Sequence, residues 1–202
     1  MRFTETAVLQ FTSNVYKYLE MKHYLAGVFI DLSKAFDSLS HEVILYKLNN
    51  FSISGIPLKL FKSYLTNRYQ AVYCNSTYSS YKPINKGVPQ RSIILGPIIF
   101  IMYINDIVNA SHKFEYTIYA DDTNLLLHDT NMDSLHLNIE LQVMNYWIKH
   151  NKLRLNVSKT NYIFIQNHSI KFVMPPVTIE RITLDKVDRI KFLTKILIGI
   201  IR

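Results

Sequence analysis

Cysteine is nearly absent from the chain. Cys74 stands alone, so no internal disulfide can close and no cysteine-based zinc site can form, and a reducing compartment fits. Glycine and proline are scarce, 5 and 6 in 202 residues, against 14 Tyr and 11 Phe. That balance excludes a linker-like or low-complexity chain and favours packed strands and helices. Long apolar runs are also missing. The longest, Ile93 to Ile104, contains Gly96 and Pro97 and stops at Asn105-Asp106, too short for a bilayer and better suited to a buried core helix. Met1-Arg2-Phe3-Thr4-Glu5 leads into an amphipathic segment rather than a signal peptide. These features lead us to expect an intracellular protein, of nucleus or cytoplasm, with no membrane segment. There is no internal repeat, and the basic residues are scattered, so no nuclear-localisation run stands out.

Hydrophobic residues make up 49% and charged residues 19%, enough to bury the core of one sizeable domain, or a core with one subdomain. The formal net charge of +8 and pI near 9.4 suit a polyanionic partner, and equally an ordinary basic protein. Residues from about Thr4 to Met21 read as a helix and Leu25 to Ile30 as a buried strand. Ser40 caps a short helix through Leu48, and Pro57 suits the first turn of another running to about Thr66. Tyr69 to Cys74 reads as a strand and Pro97 to Ile107 as a helix. Phe114 to Ala120 and Thr123 to Leu127 form two strands about a tight turn. Thr130 and Asp133 make a capping-box start to a helix through about His150, with Leu137, Leu141, Met144 and Ile148 on one face. Asn161 to Gln166 is a further strand. The order is α+β, with strands drawn from distant segments.

Carboxylates interrupt these apolar strands. Asp31 follows LAGVFI directly, and Asp121-Asp122 lie between FEYTIYA and TNLLL. An ionised Asp beside a dry strand is costly unless paired. Three carboxylates brought together would hold two divalent cations roughly 4 Å apart, the arrangement for in-line phosphoryl displacement. Taken alone, an Asp-Asp pair also describes a surface turn.

FIDLSKAFDSLSH, GVPQ with LGPIIFIMYINDI, YADDT and LRLNVSKTNYIFI occur in this order over much of the chain. Together they resemble the successive palm motifs of reverse transcriptases from non-LTR, LINE- or jockey-like retrotransposons, from about Phe3 to Phe192. The resemblance implies a right-hand polymerase palm, an antiparallel sheet backed by helices, with partial fingers and no thumb. It divides the chain into a remnant of the N-terminal fingers (1–21), palm (22–40), fingers (41–88), and palm running to a primer-grip-like end (89–202). The implied activity is RNA-directed DNA synthesis, moving a nucleotide from a deoxynucleoside triphosphate to a primer 3′-hydroxyl on an RNA template. The implied cofactors are two Mg²⁺ (or Mn²⁺) ions.

By the same resemblance Asp31 and the Leu32 carbonyl are metal ligands, Asp121 is the second ligand, and Asp122 stands beside it. Tyr119 and Ala120 form the floor near the primer end. Gln90 touches the bound nucleotide. Phe36 is the aromatic gate against a 2′-hydroxyl, although without the motif it would read as a core Phe. Lys159 is placed to protonate departing pyrophosphate, or is simply an exposed lysine. The seven histidines read as surface or structural residues.

Departures from the pattern are as specific. Arg91 stands where the family has glycine, and RSIILGP is one residue longer than expected. One residue turns a helix by roughly 100°, so unless the loop absorbs it the face from Leu95 to Tyr103 is misaligned with the palm or Gln90 is displaced. Thr194-Lys195 replace a glycine-led turn. A truncated, impaired element is therefore expected, whose alternative is a catalytically inactive, retrotransposon-derived nucleic-acid-binding domain. A palm-type nucleotide cyclase would not account for GVPQ and YADD together.

Overall fold

A computed structural model of the chain describes residues 2–89, 92, 94–131, 135–165, 175–192 and 195–198. In chain order the elements are α1 (Arg2–Glu20), β1 (Tyr24–Ile30), α2 (Ala35–Ser38), α3 (His41–Asn50), α4 (Gly55–Leu65), β2 (Tyr69–Gln70), β3 (Tyr73–Cys74), β4 (Thr77–Tyr78) and β5 (Lys82–Pro83). Then come α5 (Leu95–Ile104), a 3-10 turn (Asn105–Asn109), β6 (Phe114–Tyr119), β7 (Asp122–Asp129), α6 (Leu137–His150) and β8 (Asn161–Ile165). Five short strands follow: β9 (Thr178–Ile179), β10 (Ile182–Thr183), β11 (Asp185–Lys186), β12 (Arg189–Phe192) and β13 (Lys195–Ile198). The chain divides into two compact units. One comprises Met1–Ser33, Ile107–His150 and Arg154–Arg202; the other comprises Lys34–Asp106 and Asn151–Leu153.

The first unit is built on a five-stranded sheet of order β11-β8-β1-β7-β6. Every neighbouring pair is antiparallel except β11 with β8. The apolar run YLAGVFI makes β1 the central strand, buried from Leu25 to Ile30, as a strand covered on both faces must be. One face carries Leu25, Phe29, Leu126, Ile163 and Ile165, which pack with Val8, Phe11, Val15, Tyr18 and Leu19 of α1. Each such side chain contributes about 1.5–3 kcal/mol on burial. Gly27 lets β8 come close, since a Cβ there would lie 3.1 Å from Ile163 Cγ2. Side chains alternate along a strand, and Ala26, Val28, Leu125 and Leu127 on the other face are buried too. α6 turns Leu137, Leu141, Met144 and Ile148 inward and runs against β9, held there by Lys149–Glu180 at 2.7 Å.

The helix at 130–150 starts later than the capping pattern suggests. β7 runs on to Asp129, whose carboxylate accepts the Asn131 N–H at 3.0 Å. An acceptor that turns the chain after a strand draws on the same residue types as a helix cap. Asp133 lies outside the described residues, as does Gln166.

The second unit gathers α3 with α4 and α5. Its polar anchor is Lys47, only 8% exposed at the side chain. Its ammonium donates to the Tyr103 carbonyl and to Asp106 Oδ1, each at 2.5 Å. The Tyr103 hydroxyl donates to the Asn151 carbonyl at 2.6 Å and accepts the Ser40 N–H at 3.4 Å; burial pushes its pKa up to about 12. Ser40 does sit at the N-terminus of α3, but its side chain makes no capping bond. The expected strand from Tyr69 to Cys74 is cut in two, β2 pairing with β5 and β3 with β4. α5 ends at Ile104, and the chain tightens into the 3-10 turn.

Candidate active site

β1 delivers Asp31 at its C-terminal end. Its last pair with β7 is Ile30 opposite Thr123, so one step further along this register places Asp31 opposite Asp122. Directly opposed residues share a face, with Cβ atoms about 4.5–5.5 Å apart. The β6–β7 hairpin closes on the pair Tyr119–Asp122, which leaves Ala120 and Asp121 as its two-residue loop. Ala120 takes φ 52°, the left-handed region that tight hairpins need.

Like charges facing each other across a ladder repel. The Asp122 carboxyl is accordingly raised above its ordinary value, first by loss of water around the carboxyl, then by the charges of Asp121 and Asp31. Asp122 therefore feels the charge of both other acids.

A turn after α6 holds the first of these acids by its backbone. The Asp31 N–H donates to Thr160 Oγ1 at 3.3 Å, and the Asp31 carbonyl accepts the Asn156 N–H at 2.8 Å. Ser33 N–H donates to the Arg154 carbonyl at 2.8 Å, flanking an antiparallel bridge of Leu32 with Leu155. Those two bonds are made by the neighbours of Leu32. Thr160, fully buried, donates its hydroxyl proton to the Asn156 carbonyl at 2.9 Å. Lys159 lies in this turn with its side chain exposed. Sequence reasoning singled out Lys159 from LRLNVSKT and missed Asn156 and Thr160, the residues that clamp Asp31. Their signal was their place in the same motif.

The structure thus brings Asp31, Leu32, Asp121 and Asp122 to one end of the β1–β7 pair, with Tyr119 and Ala120 beside them. Phe36 belongs to the other unit. It lies in α2, after Lys34 in the left-handed region (φ 49°), with its ring centroid 4.8 Å from that of Phe100. Phe36 lines a cleft of about 420 Å³ with Lys34, Asp37, Val88, Pro89 and Ser92. The GVP segment is tied to this turn: Gly87 N–H donates to the Leu39 carbonyl at 2.7 Å and Val88 N–H to the Phe36 carbonyl at 3.0 Å. His41 Nε2 meets the Gly87 carbonyl at 2.7 Å, a structural use of a histidine. Gln90 and Arg91 lie outside the described residues. α5 buries Ile99, Phe100, Tyr103 and Ile104 and leaves Ile98 and Ile101 exposed, as is Ile94 before it.

Among the described residues, no three His, Cys, Asp or Glu side chains form a preassembled metal cage. The donor set nonetheless fits a hard cation. Mg²⁺ needs only one or two carboxylates, completing its octahedron with water and substrate phosphates, and a carboxylate repelled by two others, as Asp122 is, gains from a positive neighbour.

Comparison with known proteins decides the family: reverse transcriptase (RNA-dependent DNA polymerase) matches residues 2–195. The chain belongs to it. Members of this family use divalent metal ions. A probable RNA-directed DNA polymerase from transposon BS of Drosophila melanogaster is 29% identical over 199 residues, 94% of this chain and 22% of that protein. The RNA-directed DNA polymerase from mobile element jockey of Drosophila funebris is 34% identical over 119 residues, 55% of this chain and 13% of that protein. The chain therefore spans under a quarter of either relative. Apo telomerase of Candida tropicalis, truncated from the C-terminal domain, superposes with a TM-score of 0.62 at 13% identity, over 98% of this chain and 38% of that one. Telomerase of Candida albicans, in complex with a TWJ fragment of telomeric RNA, gives 0.60 at 14%, over 98% and 33%. At such identities the likeness shows the fold, an α+β polymerase palm in part. No described helix is long and apolar enough to cross a membrane.

Proposed function

We propose that the chain is the catalytic core of an RNA-directed DNA polymerase, joining deoxynucleoside triphosphates to a DNA primer on an RNA template. The observation that carries this is the β1–β7 register, which sets Asp31 opposite Asp122 with Asp121 in the hairpin loop. Asp31, Asp121, Asp122 and the Leu32 carbonyl would hold two Mg²⁺ (or Mn²⁺) ions. When bound, those ions supply acidification of the primer 3′-hydroxyl and neutralisation of charge on the phosphates. The residues of the chain do the positioning. The clamp from Asn156 and Thr160 fixes the Asp31 backbone, Tyr119 and Ala120 support the primer end, and the exposed Lys159 gives its proton to pyrophosphate. Gln90 contacts the nucleotide and Phe36 rejects a 2′-hydroxyl. The sheet unit is read as palm and residues 41–88 as fingers.

Arg91 in place of glycine favours a second reading, a binding domain without chemistry. Single-nucleotide addition to a labelled primer on an RNA template separates the two. The polymerase reading expects addition that needs Mg²⁺ or Mn²⁺ and falls at least a thousandfold in Asp121→Ala. Folded chain that binds primer–template and adds nothing, with or without metal, supports the binding-only reading.

A further inference from the structure

The charge of this protein is segregated. From Val43 to Asn105 there is no Asp or Glu, while seven Lys and Arg fall in that stretch, seven of the eight net positive charges of the chain. Among the described residues of the stretch, only Lys47 is spent on a buried ion pair, with Asp106. In the middle of the stretch lies a ribbon of two short ladders, β2 with β5 and β3 with β4. From 69 to 83 every residue but Ala71 is exposed. The ribbon nevertheless carries Tyr69, Tyr73, Tyr78 and Tyr81, between 60% and 69% exposed. Tyr73 and Tyr78 pair directly across the ladder, their ring centroids 4.7 Å apart and tilted by 42°.

These tyrosines do no work in a core, and exposed aromatic surface of this extent marks an interaction site. A two-stranded ribbon is marginal by itself and gains from a ligand. Charge decides which kind. The segment itself carries no carboxylate to repel a polyanion, and Lys82 lies on β5 of the ribbon, next to Tyr81 in the chain. At its foot is a groove of about 640 Å³ lined by Arg68, Gln70, Asn85 and Lys86, in which Asp37 from outside the stretch is the one acid. Flat rings among cations match single-stranded nucleic acid, whose unpaired bases stack while its phosphates meet Lys and Arg. A duplex hides its base faces and cannot use the tyrosines.

We infer that the Tyr69–Pro83 ribbon is a platform for single-stranded nucleic acid, with bases stacking on Tyr73 and Tyr78 and phosphates drawn to Arg68, Lys82 and Lys86. The platform goes beyond the catalytic reading and does not depend on it. The test is fluorescence anisotropy of a labelled oligoadenylate RNA with the whole chain. The wild type binds the single strand more tightly than the same sequence in duplex. Tyr73→Ala with Tyr78→Ala lowers affinity at least tenfold, Tyr73→Phe with Tyr78→Phe keeps it, and Lys82→Gln reduces the salt slope of log affinity by about 0.7. A chain whose helical signal and melting temperature match the wild type but whose affinity is unmoved by the double Ala change overturns the platform. So does equal affinity for duplex. Either failure leaves the polymerase reading standing, and loss of nucleotide addition alone leaves the platform standing.

Discussion

Gly87 shows how much one residue can settle. Its φ of 78° is open to glycine and strained for other residues. A Cβ there would also lie 2.8 Å from the Asp37 carbonyl oxygen and 2.9 Å from the Asp37 Cα. Backbone cannot swing away as a side-chain tip can. Gly87→Ala is therefore expected to cost more than about 2 kcal/mol, read as a lower urea midpoint at unchanged slope. A loss under half of that would mean the GVP turn relaxes freely. In the sequence this glycine was one letter of GVPQ, whereas Asp31, Asp121 and Asp122 were legible because charge interrupts apolar strands. Asn156 and Thr160 escaped notice because their work is done through hydrogen bonds to the Asp31 backbone, more than a hundred residues away. Such bonds leave no periodicity and no change of polarity to read.

The elements that were legible are those with one period over their whole length. β1 is uniformly apolar and α6 repeats Leu137, Leu141, Met144 and Ile148. Tyr69 to Cys74 reads as one strand because β-propensity does not reveal a break, and β9 to β11 are two residues long, too short to show alternation. The end of the sheet away from the acids shows what such reading misses. His23 and His128 place their Nδ1 atoms 3.1 Å apart, and Tyr18 stacks on His128 at 3.5 Å while donating its hydroxyl to Glu115 at 2.8 Å. Burial first, then His23, holds the His128 pKa below its ordinary value, against smaller upward pulls from Glu115 and Asp129 and a further downward push from Lys17. The folded state is thus slower to take a proton than the unfolded one. Stability from this site is complete above the unfolded histidine pKa of about 6.5 and is lost as pH falls through it. Between pH 7.5 and 5.5 the wild type is expected to lose on the order of a degree or two more in melting temperature than His128→Phe, the group being partly exposed. Equal losses in the two proteins would remove His128 as the cause.

For the whole molecule, the acids of the site exist as a group only when the sheet does. β1 pairs with β7 and β8, which lie roughly 100 and 135 residues further along, so the unfolded chain scatters Asp31 far from Asp121 and Asp122 and offers a cation nothing comparable. A divalent ion that binds only the folded form stabilises it by mass action, about 2.7 kcal/mol at a hundred times its dissociation constant. β1 is the most deeply buried strand and has partners on both edges, so it opens with the molecule rather than before it. The gain should then appear in global unfolding, as a rise of about 5–10 °C in melting temperature for a chain of this size. Asp31→Ala with Asp121→Ala should abolish the rise. Asp122→Asn should act in two ways at once, since its carboxyl is already raised by loss of water and by its two neighbours. It relieves repulsion, so the metal-free protein melts slightly higher, and it withdraws a charge, so the response to metal shrinks. Calorimetry of the three proteins over a series of Mn²⁺ concentrations makes the comparison. A full metal response in the double variant would place the ions elsewhere, and a metal-free Asp122→Asn that melts lower than wild type would mean that the three acids do not repel one another in the folded chain.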